Sequence, residues 1–439
     1  MALILKLEFG TEILNPLDIR LQALDWLFAA TRHWVFQGQR TTQQFPHEND
    51  VDWKAIGELA HVHNVEPLLY WVVSNTEIPT KIPEWLKQKW EQAYFGNFLR
   101  NEEYFELLKT LLTRCGKERI PIIVLKGPAL IARIYKDPAL RTLSDLDILC
   151  SPTDLNRIVA IARQMGYTML DVGTDPEITH HLAMHQPASG SILEFHFMPY
   201  EVIQNHAKFM QLALDRREWV DVGGTQFPVL CLEMELLFNI AHLIQHQFDV
   251  SLKHYLDIAG VLIFSGGLLR WNKIEMLLRD FGLEQAFSLT MGFLTRMIHL
   301  PQISQTPPLN HKEGAQREFG VSLRELLALL DEDRLLDVRG VIWRFRIALG
   351  NREGFGDKFA YVVKALLPFS GGLTNTGNRS FGNARYFLRQ CLFYFRRLFF
   401  TLGHLPKEIL SNEQHSLAKE RAATKNRIIR QLQRTARPR

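Results

Sequence analysis

The chain has 439 residues, 46% hydrophobic and 22% charged, which suits a globular protein of two or three domains and excludes a disordered or fibrous chain. Its net charge of +4 hides an asymmetry: from Arg385 to Arg439 there are 13 basic and 3 acidic residues, a net of +10, which leaves −6 on the rest. The basic character therefore belongs to the tail, and nucleic acid is not an expected partner of the acidic body.

The four cysteines (Cys115, Cys150, Cys231, Cys391) show no CxxC spacing, which argues against a disulfide framework or a cysteine-rich zinc site. The apolar start has neither a basic leader nor a small-residue cleavage site. No apolar run approaches the roughly 18–20 residues of a membrane-spanning helix. The expectation is a cytoplasmic protein without a transmembrane segment.

Apolar residues at spacings of three and four predict helices over residues 18–34, 53–74 and 83–115. The pattern changes at Ile120, where residues 120–125 form a short β-branched run that predicts a buried strand. Gly127-Pro128 opens a helix through Tyr135, and residues 142–150 form a second strand. Ser151-Pro152 with Asp154 predicts a helix start, and Gly166 its C-terminal cap. Further strands are expected at 167–172 and 191–198, with His180, His181 and His185 in a loop between them and a hairpin turn at Gly223-Gly224. Helices return at 231–248, 252–264, 271–281, 284–298, 323–331 and 338–349. Residues 366–384 read as a linker, and 386–402 as a basic aromatic helix that either touches an anionic membrane surface weakly or packs on the body. The implied fold class is α+β, mostly helical, with a small mixed-sheet core. Its divisions are an N-terminal helical region (1–118), an α/β core (119–230), a C-terminal helical domain (231–365) and a linker with tail (366–439).

The chemistry concentrates in Arg141-Thr-Leu-Ser144-Asp145-Leu-Asp147-Ile-Leu. Two carboxylates one residue apart in an apolar strand are costly to bury, because each loses its hydration. A hard divalent cation such as Mg²⁺ removes that cost, so the pair reads as half of a metal–nucleotide site. Glu194, in Ile192-Leu-Glu-Phe-His196-Phe, is the candidate third carboxylate, and strand alternation puts His196 on its face. His242 and His246 share a helix face by their i,i+4 spacing and are expected to line a cleft. Lys253 and Asp257 have the same spacing and read either as a surface ion pair or, through Asp257, as an auxiliary base.

The ordered set Lys126-Gly127, Tyr135, Asp137, Arg141, Ser144-Asp145-Leu-Asp147, Gly166-Tyr167 and Glu194-Phe-His196 resembles the uncharacterised nucleotidyltransferase family of the DNA-polymerase-beta-like superfamily. The resemblance covers about residues 20–300, including the flanking helices. The superfamily's Gly-Ser turn before the Asp pair is here replaced by Lys126-Gly127-Pro128. The resemblance implies transfer of a nucleoside monophosphate from an NTP, with ATP first in line, to an acceptor hydroxyl on a small molecule, glycan precursor or protein. Asp145, Asp147 and Glu194 would be catalytic and hold Mg²⁺ or Mn²⁺; Lys126, Gly127, Arg141 and Ser144 would bind nucleotide; His196 and Asp257 would serve the acceptor or acid–base chemistry. A non-catalytic nucleotide-sensing or partner-binding module on the same fold is the alternative.

Overall fold

The computed structural model describes residues 16–36, 45, 51–78, 81–170, 180–246, 248, 250–265 and 267–299. The expected helices at 323–331 and 338–349, the linker and the basic aromatic tail lie outside the described residues.

Among the described residues four helices come first: α1 (Pro16–Val35), α2 (Trp53–Val62), α3 (Glu66–Asn75) and α4 (Glu84–Lys117). Asp52 caps α2 by accepting from the Ala55 N–H at 3.0 Å, satisfying one orphan donor of the first turn. The single helix expected over 53–74 is two helices. Asn64 adopts φ 57°, a left-handed conformation that Asn tolerates better than most residues, and Pro67 opens the next helix where its missing N–H costs nothing.

The central segment alternates strands and helices. In order come β1 (Ile122–Val124), α5 (Lys126–Leu130) widening into a π turn over Ile131–Tyr135, β2 (Leu146–Cys150), a 3₁₀ turn over Pro152–Asp154 and α6 (Leu155–Gln164). There follow β3 (Thr168–Met169), β4 (His181–His185), β5 (Ile192–His196), α7 (His206–Asp215), β6 (Glu218–Val222) and β7 (Thr225–Val229). The chain then returns to helix with α8 (Leu232–Gln245), α9 (Leu252–Phe264), α10 (Trp271–Phe281) and α11 (Glu284–Ile298). Gly223 and Gly224 both take positive φ, 57° and 79°, which a two-residue turn between twisted strands requires.

The fold is α+β and mostly helical, with one mixed sheet in the order β3-β4-β5-β2-β1-β7-β6. β2 runs parallel to β5 and β1 parallel to β7; the other pairs are antiparallel. Three local expectations are corrected. The segment holding His181 and His185 is a strand, because it pairs with β5 from His181 opposite His196 to His185 opposite Ile192. The helix α7 was not anticipated. The second strand begins at Leu146, so Asp145 stands just ahead of it rather than inside it.

Strand alternation sorts the sheet residues onto two faces. Leu146, Ile148, Leu182, Met184, Leu193 and Phe195 bury one face against α4 and α6. Asp147, Glu194 and His196 fall on the other, where Ile123 and Leu149 join a second core. That core draws on helices from both ends of the described chain: Trp26 of α1, Leu69 of α3, Phe238 of α8 and Phe293 of α11 all belong to it. The helical regions before and after the sheet thus form one packed body on its polar face. Phe195 is fully buried directly behind Glu194 and His196. Phe195→Ala is expected to lower stability by about 3–5 kcal/mol, measured by urea unfolding.

Candidate active site

One face of α4 fixes the approach to β2. Tyr94, Asn97, Asn101 and Tyr104 recur at spacings of three and four, so they line one stripe of the helix. Tyr94 OH donates to Asp137 Oδ2 at 2.8 Å, and Asn97 Nδ2 donates to the Ala139 carbonyl at 2.6 Å. Asn101 Nδ2 donates to the carbonyls of Pro138 and Arg141 at 2.5 and 2.8 Å, and Tyr104 OH to that of Ser144 at 2.9 Å. Four carbonyls of the irregular stretch 137–144, those of Pro138, Ala139, Arg141 and Ser144, are thus satisfied by the helix beneath it, and Asp145 follows directly after this anchored stretch.

Asp147 is the most heavily coordinated acid of the cleft. Its Cα pairs with that of Glu194 across the parallel β2–β5 ladder. Its Oδ1 accepts from Lys126 Nζ at 3.0 Å and from His196 Nε2 at 2.7 Å. Burial opposes its ionisation, but Lys126 and His196 outweigh that and hold the carboxyl well below the usual carboxylate range. Lys126 is likewise held protonated: burial lowers its affinity for a proton, and Asp147 more than restores it. Lys126 pays for this position with a left-handed backbone, φ 49°, the kind of local strain that collects at functional sites. Gly127 follows because a Cβ there would collide with the Leu143 side chain and crowd the Arg141 guanidinium. Its need for glycine is thus met within the fold.

The other two acids lack such partners. Glu194 is pushed up to about 8, first by burial and then by the charges of Asp147 and Asp145. Asp145 is also pushed up by burial and by Asp147, and its Oδ1 accepts from Ser144 Oγ at 3.1 Å. Glu194 Oε2 lies 3.7 Å from His196 Nε2 and 3.9 Å from His181 Nε2. Burial pushes both imidazoles down, His196 to about 4 and His181 to about 3, so both are neutral at pH 7.

A second buried charge cluster supports the first. Asp257 is fully buried and accepts from Arg141 Nε at 3.2 Å and Nη2 at 2.7 Å. Tyr135 OH, carried in by the π turn, donates to Asp257 Oδ1 at 2.8 Å. This fork-to-carboxylate pairing uses the geometry for which arginine is suited. Lys253 does not pair with Asp257 on the surface as its spacing allowed: both are buried, and Lys253 Nζ donates to the carbonyl and Oγ1 of Thr142 at 3.3 Å each. Burial and the Arg141 charge push Lys253 down to about 7.

These groups enclose a cleft of about 470 Å³ between the sheet and the helical body. The structure brings Lys126, Gly127, Arg141, Ser144, Asp145, Asp147, Glu194 and His196 to its lining; Asp257 lies behind it, beneath Arg141. Asp147, Glu194 and His196 each offer a donor atom within 4.8 Å of the others. Sequence reasoning missed Tyr200, Gln245 and His254, which also line the cleft. Gln245 and His254 carry a signal through their neighbours His246 and Lys253, both marked by i,i+4 spacing, whereas Tyr200 carries none.

A cleft of this kind on a mixed sheet, with carboxylates on adjacent parallel strands and cations around them, defines a transferase of the nucleotidyltransferase class. The model of the family described as "Uncharacterised nucleotidyltransferase" matches residues 49–299, more than half of the chain, and the protein belongs to that family. No curated protein matches it. Among solved structures, the solution structure of the antibiotic-resistance factor ANT(2'')-Ia is 14% identical, covers 45% of this chain and 98% of its own, and has a TM-score of 0.31. A crystal structure of ANT(2")-Ia with adenylyl-2"-tobramycin gives 13%, 39%, 92% and 0.29. An antigenic nucleotidyltransferase-like protein from Paracoccidioides brasiliensis gives 14%, 44%, 91% and 0.26.

Two predictions come from this geometry. Arg141→Ala would leave Asp257 charged, buried and unpaired, and is expected to cost about 3–5 kcal/mol in urea unfolding. Glu194 keeps its proton in the native state up to about pH 8, whereas an ordinary glutamate releases it near 4.5. The native state thus holds the extra proton, so this contribution is full below the lower value and is lost as pH rises through the upper one. In metal-free protein, the urea midpoint of the wild type relative to Glu194→Gln should fall as pH rises from about 5 to 8.5; the difference cancels the buried neutral histidines, whose lowered proton affinities act in the opposite sense between about pH 5 and 7.

Proposed function

We propose that the protein transfers a nucleoside monophosphate from an NTP, with ATP the first to test, to a hydroxyl acceptor in this cleft, with Mg²⁺ or Mn²⁺ as cofactor. The observation that carries the reading is the set of three carboxylates, Asp145, Asp147 and Glu194, on one cleft with cations around them. Their chemistry fits a hard divalent ion: all are oxygen donors, and two are pushed up by burial and then by the negative charge they share, a repulsion that a cation relieves. Asp145, Asp147 and Glu194 would hold the ion. When bound, it supplies positive charge against the phosphate oxygens and the departing pyrophosphate.

The chain's own groups have distinct parts in this scheme. Glu194, which would be ionised once a bound cation offsets the charges of Asp147 and Asp145, would accept the acceptor's hydroxyl proton on an oxygen facing the cleft. The freed acceptor oxygen forms a bond to the α-phosphorus, and the bond from that phosphorus to the bridging oxygen breaks, with pyrophosphate carrying away the electron pair. Lys126 stays protonated and keeps Asp147 ionised in place. Lys253, Arg141 and Ser144 line the phosphate side, where orientation and charge supply most of the rate. His196 fixes the orientation of Asp147, and Asp257 acts through Arg141 rather than on the acceptor. We place the enzyme in the cytoplasm, where NTPs and Mg²⁺ are at hand; among the described residues no helix is long and apolar enough to cross a membrane.

The test is to incubate the protein with each α-labelled NTP, Mg²⁺ and a cell extract, and to ask which molecule acquires label. Asp145→Asn is the control of choice, since among the described residues Asp145 accepts a hydrogen bond from Ser144 and not, as Asp147 does, from a buried lysine. We expect label transfer with pyrophosphate release, reduced at least about 100-fold in Asp145→Asn. Metal-dependent NTP binding without pyrophosphate release would overturn the enzymatic reading in favour of a nucleotide sensor.

A further inference from the structure

We propose a second metal site in the same cleft, formed by His180, His181 and His196 and suited to a borderline divalent transition ion of the Zn²⁺ type. One ring nitrogen from each of the three lies within 4.8 Å of the other two. His180 Nε2 and His181 Nδ1 are only 3.1 Å apart. Two imidazole nitrogens at that distance need a proton or a cation between them, because their lone pairs otherwise repel. The spacing is also close to the roughly 3.3–3.4 Å that tetrahedral ligation at a Zn–N distance of about 2.0–2.1 Å imposes.

Two further observations point to a ligand. His196 is 1% exposed, and its Nδ1 has no hydrogen-bond partner in the structure, although buried ring nitrogens are ordinarily satisfied. Its Nε2 is committed to Asp147, a carboxylate–imidazole pairing of the kind that orients a ligating histidine. On the far side, Glu201 Oε1 stands 3.9 Å from His180 Nδ1, within ion-pair range of the second ring. Local structure makes the grouping: His181 opposes His196 in the β4–β5 ladder, and His180 precedes it at the strand's entry. Imidazole donors favour Zn²⁺, Co²⁺ or Ni²⁺ over Mg²⁺, so this set differs in kind from the carboxylates beside it. The three histidines leave a fourth position open toward the cleft, as in catalytic rather than structural zinc sites. This site needs neither nucleotide nor acceptor and stands or falls independently of the transfer reading.

The test uses the metal-stripped full-length chain, dialysed against ZnCl₂ in an excess of Mg²⁺, with retained zinc measured by atomic emission. In parallel, Co²⁺ is titrated and its visible ligand-field absorption followed. We expect one zinc per chain and a cobalt spectrum of low coordination number. His180→Ala and His181→Ala should each weaken zinc binding about tenfold or more, while Asp145→Asn should not. Far-UV circular dichroism establishes that the variants are folded; should one fail, the wild-type zinc stoichiometry and cobalt spectrum decide alone. Absence of retained zinc, or wild-type affinity in both folded histidine variants, would overturn the site. So would a loss in Asp145→Asn as large as in His180→Ala, which would put the ion among the carboxylates.

Discussion

A buried carboxylate loses most of its hydration, and Asp147 is held ionised in the cleft by two donors that meet its Oδ1. Much of the molecule is arranged to keep that meeting in place. Lys126 reaches Asp147 from the start of α5, at the cost of a left-handed backbone. His196 reaches it from the adjacent parallel strand, where the ladder sets its distance. Behind them, Arg141 of the cleft lining and the fully buried Asp257 neutralise one another. The acids that remain without such partners, Asp145 and Glu194, are the ones whose proton affinity is raised. The cleft thus holds one acid kept ionised by its neighbours beside two whose proton affinity is raised.

The sheet provides this separation through its period of two. Every residue that faces α4 and α6 from β2 and β5 is apolar, and the alternate positions carry Asp147, Glu194 and His196. One apolar core therefore holds the strands rigid from behind while the polar face works in front. The helical body closes that polar face, and its core is built from both ends of the described chain. The helical wall of the cleft comes from α8 and α9, through His242, Gln245, His246, Lys253 and His254, while the N-terminal helices contribute to the core behind it.

Much of the site was legible in the sequence, because costly residues in apolar strands are conspicuous. Asp145, Asp147, Glu194 and His196 were found from alternation, and all four line the cleft. The family assignment followed from the same motifs and the match over residues 49–299. What the sequence concealed were contacts between distant segments. Lys253 and Asp257 have the spacing of a surface ion pair, yet they face Thr142 and Arg141, more than a hundred residues away. The strand β4 was missed because His181-Leu-Ala-Met-His185 is weakly apolar and takes its stability from pairing with β5. The break at Asn64 carried a signal in Asn64 and Pro67, but the apolar periodicity running through it was the stronger pattern.

The stripe of Tyr94, Asn97, Asn101 and Tyr104 along α4 constrains how this protein can change over time. Substitutions on the outer side of that helix leave the stripe alone, and Phe98 and Leu99 there are already exposed. A single inserted or deleted residue is another matter, since it turns every later position by about 100° around the axis. An indel between Tyr94 and Tyr104 would swing part of the stripe away from the carbonyls of 138–144 and unseat the segment that delivers Asp145. The length of α4 is thereby tied to the chemistry of a cleft it does not line, and related chains should vary in its surface residues while keeping its register.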